Sequence, residues 1–131
     1  MAEKTILVID DDIDLVEIIR VTLENEGFRV IDAQNGERGL ALAREQNPDL
    51  ILLDVMMGKV DEGFQVAYEL RSNDVTAETP ILMLTAVADQ TGFDFDPKRD
   101  KDFLPVNEFL EKPISPRSLV DMVRKHLPTS V

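Results

Sequence analysis

The sequence predicts an α/β fold: a doubly wound sheet of five parallel strands, with helices on both faces. Three observations point to it. Apolar, often β-branched runs alternate along the chain with stretches at helical spacing, the pattern of parallel strands joined by crossover helices. The run Leu50-Ile51-Leu52-Leu53 is apolar without interruption between the turn signals Asn47-Pro48 and Gly58, as a strand buried on both faces must be. That run ends on Asp54, and Thr5-Ile6-Leu7-Val8-Ile9 ends in the same way on Asp10-Asp11-Asp12. An unpaired carboxylate inside a buried strand costs several kcal/mol. Both acidic groups therefore belong at the carboxyl ends of their strands, where open α/β sheets bind ligands.

The elements follow in order. After the first strand, Thr5 to Ile9, a helix is expected from Ile13 to Glu26 with Leu15, Ile18, Ile19 and Leu23 inward. Gly27, able to take positive φ, stops it. Phe28 to Asp32 is a short second strand, polar enough for a sheet edge. Asn35 can cap a helix running to about Gln46, with Leu40, Ala41 and Ala43 on its inner side. After the central strand comes a loop from Met56 to Glu62. A helix from about Gly63 to Ser72 then uses Phe64, Ala67 and Leu70. Pro80 introduces a fourth strand, Ile81 to Leu84, which delivers Thr85 and Ala86. A fifth, about Glu108 to Glu111, delivers Lys112-Pro113. The last helix starts at Ser115 with Pro116 at its first position, a favoured arrangement. It turns Leu119, Met122, Val123 and Leu127 inward and stops at Pro128. Between the fourth and fifth strands a helix is due. Gln90 to Pro105 instead carries Gly92, Pro97 and repeated Asp, and reads as an irregular loop that replaces or shortens that helix. A short turn of helix fits before Thr91. Phe93, Phe95 and Phe103 need burial in the core, a partner or a dimer contact.

Composition narrows the function. At 131 residues and 44% hydrophobic content, residues 1–131 make one domain with a core from about 4 to 127. The absence of cysteine excludes disulfides, thiolate metal sites and cysteine nucleophiles. Met1-Ala2-Glu3-Lys4 leads into an apolar run too short for a signal peptide or a membrane span, so the expected location is the cytoplasm. A net charge of -12 repels phosphate backbones, argues against direct nucleic-acid binding, and favours a basic partner or a bound cation.

Right-handed crossovers put all the strand ends on one side. They gather Asp10, Asp11, Asp54, Thr85 and Lys112 in one crevice. Three carboxylates there repel one another and either take up protons or bind a cation. Oxygen ligands without His or Cys suit Mg²⁺. Asp54 could then be a nucleophile toward a phosphoryl group. Mg²⁺, the Lys112 ammonium and the Thr85 hydroxyl are suited to holding its charged oxygens. Taken singly, each residue has a plainer reading: Asp12 as a charge at a helix N-terminus, Thr85 as a strand residue, Lys112 as a surface lysine, Phe109 as a core aromatic. His126, the only histidine, stands near a helix end where a dipole contact accounts for it.

Four segments, in order and covering nearly the whole chain, resemble the response-regulator receiver domain of two-component signalling, the CheY-like superfamily. They are Ile6 to Asp12, Asp49 to Met57, Pro80 to Ala86, and Phe109 to Pro113. The resemblance implies a flavodoxin-like sheet in the order 2-1-3-4-5 and a phosphoacceptor function. Asp54 would receive phosphate from a phosphohistidine on a sensor histidine kinase or phosphotransfer protein. Asp11 would ligate Mg²⁺ directly with Asp54 and the Met56 backbone carbonyl, and Asp10 would act through water. Thr85 would be the switch hydroxyl, with Ala86 beside it and Lys112 contacting phosphate. Phe109 would be the switch aromatic, and the bond to Pro113 would be cis. Met56 and Val87, both apolar, would leave an attacking water unoriented and make self-dephosphorylation slow.

The sequence departs from the family pattern in places. Gly58-Lys59 stands where Pro-Gly is usual, and Gly63 comes one residue late. Thr85 and Lys112 lie 27 positions apart, more than is usual, and Pro105-Val106 replaces the Gly-Ala before the fifth strand. The chain stops soon after its last helix, so the expected output is contact with a downstream protein or phosphate passed along a relay; a monomer or weak dimer is expected. Two other functions would use the same features. A binding module on this fold could signal without phosphate. A haloacid-dehalogenase-like phosphatase also uses a strand-end Asp, but it needs a second Asp at the position of Met56.

Overall fold

The computed structural model describes residues 4–54, 62–85, 106–112 and 114–127, with the backbone alone for 62–64 and Thr85. Nine elements follow the expected alternation: β1 (Thr5–Ile9), α1 (Ile13–Glu24), β2 (Arg29–Ala33), α2 (Gly36–Gln46), β3 (Leu50–Asp54), α3 (Glu62–Ser72), β4 (Ile81–Thr85), β5 (Glu108–Glu111) and α4 (Pro116–His126). The expectation of an irregular loop from Gln90 to Pro105, with its three phenylalanines, lies outside the described residues.

The strands form one parallel sheet in the order β2-β1-β3-β4-β5. β3 is central and completely buried, as its unbroken apolar run requires. β2, polar enough for an edge as expected, is at an edge. Successive side chains of a strand point to opposite faces, so each strand feeds two cores. Ile6, Val8, Leu50, Leu52, Leu82, Leu84 and Leu110 pack with Val16, Ile19 and Leu23 of α1 and Leu119 and Val123 of α4. Leu7, Ile9, Ile51, Leu53, Ile81 and Met83 pack with Ala43 of α2 and Val66, Ala67 and Leu70 of α3. The sheet is thus covered on both sides. Truncating a core leucine such as Leu52 to alanine costs about 2–5 kcal/mol.

The helix starts are read directly from side chains. Asp12, Asn35 and Ser115 accept the amides of Leu15, Arg38 and Ser118, and so cap α1, α2 and α4. Two turns rely on positive φ: Gly27 after α1 (φ 91°) and Asn47 after α2 (φ 46°). The inner faces differ in places from expectation. Ile18 is 57% exposed, and Val16 takes the inward position instead. On α2 the buried residues are Gly36, Gly39 and Ala43, while Leu40 and Ala41 are half-buried. The helix lies so close to β1 that a Cβ on Gly39 would come within 2.5–3.0 Å of the Ile9 side chain. Only glycine permits that approach.

At the amino-terminal end of the sheet, polar groups meet the backbone. The Thr5 amide donates to Asp49 Oδ2 at 2.7 Å, and the Asp49 amide donates to the Thr5 carbonyl at 2.8 Å. Arg71, in the last turn of α3, reaches the loop before β4, and its burial draws its pKa below the ordinary arginine value.

Candidate functional site

The carboxyl ends of β1, β3 and β5 place their last or next residues side by side. Asp10 follows β1 directly, Asp54 ends β3, and Lys112 follows β5. Asp10 is fully buried and Asp54 nearly so, whereas Asp11 is exposed. Carboxylate oxygens of Asp10, Asp11 and Asp54 all lie within 4.8 Å of one another.

Hydrogen bonds fix this arrangement. The Asp10 amide donates to the Ala33 carbonyl of β2 at 3.0 Å. Its Oδ1 accepts the Asp12 amide at 2.9 Å, which turns the chain toward α1. Its Oδ2 faces the Lys112 ammonium at 3.2 Å. The same ammonium lies 3.3 Å from Asp54 Oδ1. Burial alone pulls the Lys112 pKa down. The Asp54 and Asp10 carboxylates outweigh it, and the group stands above the ordinary lysine value. It is a fully formed cation shared by two carboxylates.

The chemistry of the donor set suits a hard divalent cation: three carboxylates, one of them open to solvent, and no imidazole or thiolate. Among the described residues one ammonium faces this cluster of three carboxylates, and their mutual repulsion favours a cation.

The other expected site residues are placed in part. Thr85 ends β4 in register with Glu111, and its side chain lies outside the described residues. So do Met56, Ala86, Val87 and Pro113, with the expected metal carbonyl, small neighbour of Thr85, apolar flank and cis bond. Phe109 is half-buried, pairs with Met83 in register, and packs against the core under α2 and α3. His126 is in the last turn of α4, as its helix-end reading requires, and its Nε2 lies 3.5 Å from Glu108 Oε2. Sequence reasoning did not find the polar network that joins Arg71 to Asn107. A pair 36 positions apart leaves no periodic trace.

The whole arrangement, from residue 6 to residue 124, matches the model of the response regulator receiver domain. The chain belongs to that family. This receiver is 36% identical over 120 residues to the phosphate regulon transcriptional regulatory protein PhoB of Pseudomonas aeruginosa, a match covering 92% of this chain and 50% of that protein. It is 48% identical over 82 residues to the DNA-binding dual master transcriptional regulator RpaA of Synechocystis, covering 63% of this chain and 34% of that one. The chain thus spans half or less of the length of these two relatives. Among solved structures, the chemotaxis response regulator CheY4 of Vibrio cholerae superposes with a TM-score of 0.83 at 27% identity, over 96% of this receiver and 100% of CheY4. The receiver domain of the sensor histidine kinase PA1611 from Pseudomonas aeruginosa superposes at 0.81 with 26% identity, over 95% of this chain and 98% of that one. It carries a magnesium ion coordinated in its active-site cleft. Among the described residues of this receiver, no helix is long and apolar enough to cross a membrane.

Proposed function

We propose that this receiver accepts a phosphoryl group on Asp54 and uses it to switch contacts with other proteins. The observation that carries the reading is the shared ammonium: Lys112 Nζ stands 3.2 Å from Asp10 and 3.3 Å from Asp54, beside the cluster completed by Asp11. Asp54 Oδ attacks the phosphorus of a phosphohistidine on a sensor histidine kinase or phosphotransfer protein. The new P–O bond forms as the P–N bond breaks, and the imidazole leaves with a proton from solvent. The incoming group carries negative charge on its equatorial oxygens, and the Lys112 ammonium neutralises one of them. Lys112 is already held at the acceptor oxygen, so little reorganisation is needed.

Asp11 and Asp54 would hold Mg²⁺ directly, with the Met56 carbonyl as a third protein ligand and Asp10 acting through water. The ion would supply the remaining charge neutralisation. Thr85, at the end of β4, is the hydroxyl assigned to the phosphate, with Ala86 beside it in sequence. Phe109, half-buried on the neighbouring strand opposite Met83, is the aromatic assigned to the change of state. The small side chain of Ala86 leaves the phosphate open to a kinase or phosphatase, and apolar Met56 and Val87 make its loss slow. The receiver turns over no substrate of its own in this reading. A surface at -12 favours protein over nucleic acid as its direct contact.

The test is incubation with acetyl phosphate and Mg²⁺, read by intact-mass spectrometry. One phosphate is expected on the wild type and none on Asp54→Asn. Equal labelling of the variant overturns the assignment. Multiple turnover on phosphate esters would point to the phosphatase chemistry instead.

A further inference from the structure

The amino-terminal end of the sheet holds a polar centre that phosphoryl acceptance does not use directly. Arg71 Nη1 donates to the carbonyl oxygens of Thr76, Ala77 and Thr79 at 3.2, 3.1 and 2.6 Å. Its Nη2 donates to Asn107 Oδ1 at 2.9 Å. The same oxygen accepts the Ile81 amide at 2.9 Å, and the Asn107 amide donates to the Ile81 carbonyl at 2.8 Å. One guanidinium therefore joins the end of α3, the loop into β4 and the residue that precedes β5.

β5 is where this matters. It is four residues long, and among the described residues it is hydrogen-bonded on one side only, to β4. Few ladder bonds hold it in place. Asn107 fixes its start, and Lys112 follows its last residue at the other end of the sheet. The strand between them spans roughly 17 Å at the usual rise per residue. A shift at Asn107 passes along this short rigid segment to the Cα from which Lys112 reaches Asp10 and Asp54. The planar guanidinium suits the junction because it places several donors in one fixed fork, which an ammonium cannot do.

We propose that Arg71 is a positioning residue for phosphoryl acceptance: through Asn107 it sets the placement of β5, and with it the Lys112 ammonium against Asp54. The inference rests on Asp54 being the acceptor.

The test is a double-mutant cycle on the rate of labelling by acetyl phosphate with Mg²⁺. It uses the wild type, Arg71→Met, Lys112→Met and the double variant, each at a temperature where circular dichroism shows it folded. A misplacement of about 1 Å can cost about a hundredfold in rate, so Arg71→Met is expected to slow labelling about tenfold at saturating donor. In the Lys112→Met background the same change is expected to cost less than about twofold, because the group it positions is gone. Asn107→Ala cuts the link while leaving Arg71 its three carbonyls. It is expected to behave like Arg71→Met, and it carries the cycle alone if Arg71→Met does not fold. The same slowing in both backgrounds, or a lowered unfolding midpoint with an unchanged labelling rate, overturns the proposal. A labelled wild type without coupling overturns this inference alone, and an unlabelled wild type overturns the Asp54 reading with it.

Discussion

At one end of the sheet the Asp49 carboxylate takes the Thr5 amide at 2.7 Å, and the Asn107 side chain takes the Ile81 amide and Arg71. At the other end carboxylate oxygens of Asp10, Asp11 and Asp54 lie within 4.8 Å of one another, and the Lys112 ammonium faces Asp10 and Asp54. The residue types are alike and the outcomes are opposite. Where a carboxylate meets backbone amides, it is satisfied by the fold and stabilises it. Where two buried carboxylates share one ammonium and a third lies beside them, negative charge gathers at one point, which suits cation binding rather than stability. The contrast separates the scaffold from the site within one five-stranded sheet.

The largest test of this contrast is magnesium itself. With Mg²⁺ about a hundredfold above its dissociation constant, the wild type is expected to gain about 2.7 kcal/mol of stability by mass action. Asp11→Asn should lose most of that gain and Asp49→Ala should keep it, as read by thermal unfolding with and without the ion. Equal gains in both variants would put the ion elsewhere. Next comes packing under the site. Gly39→Ala forces a Cβ onto Ile9, the residue before Asp10, and overpacking of this kind costs about 2 kcal/mol. Urea unfolding measures it, and a loss near zero would show that α2 can move away freely. Asp49→Ala, at the opposite end, strands the Thr5 amide and should cost about 1.5 kcal/mol in the same measurement. The smallest effect has the opposite sign. Metal-free Asp11→Asn removes one of three like charges and is expected to stabilise by about 1 kcal/mol at low salt, with the gain fading as salt screens the cluster. A destabilised variant would mean that the charges at the site are already balanced.

The sequence carried the fold and the main site because both rest on strong local signals. Unbroken apolar runs mark buried strands, and a carboxylate that ends such a run has few places to go. Asp10, Asp54 and Lys112 could be gathered from parallel topology alone. Helix faces were less legible. Ile18 and Val16 are both aliphatic and both near the edge of the apolar stripe of α1, so only tertiary packing decides that Ile18 faces outward. On α2 the expected inner side is Leu40, Ala41 and Ala43, yet of these only Ala43 is fully buried, and close approach to Ile9 puts Gly39 beside it. The Arg71–Asn107 link was invisible because neither residue belongs to a pattern and their meeting depends on where two chain segments stop.

The ion pair between Lys112 and Asp10 closes a span of 102 positions. The first strand of the sheet by sequence therefore needs the fifth in place before Asp10 meets its cation. A chain cut between them can hold the Asp54 carboxylate and still lack the ammonium beside it. On the proposed reading, labelling of Asp54 gauges whether β1 and β5 have come together.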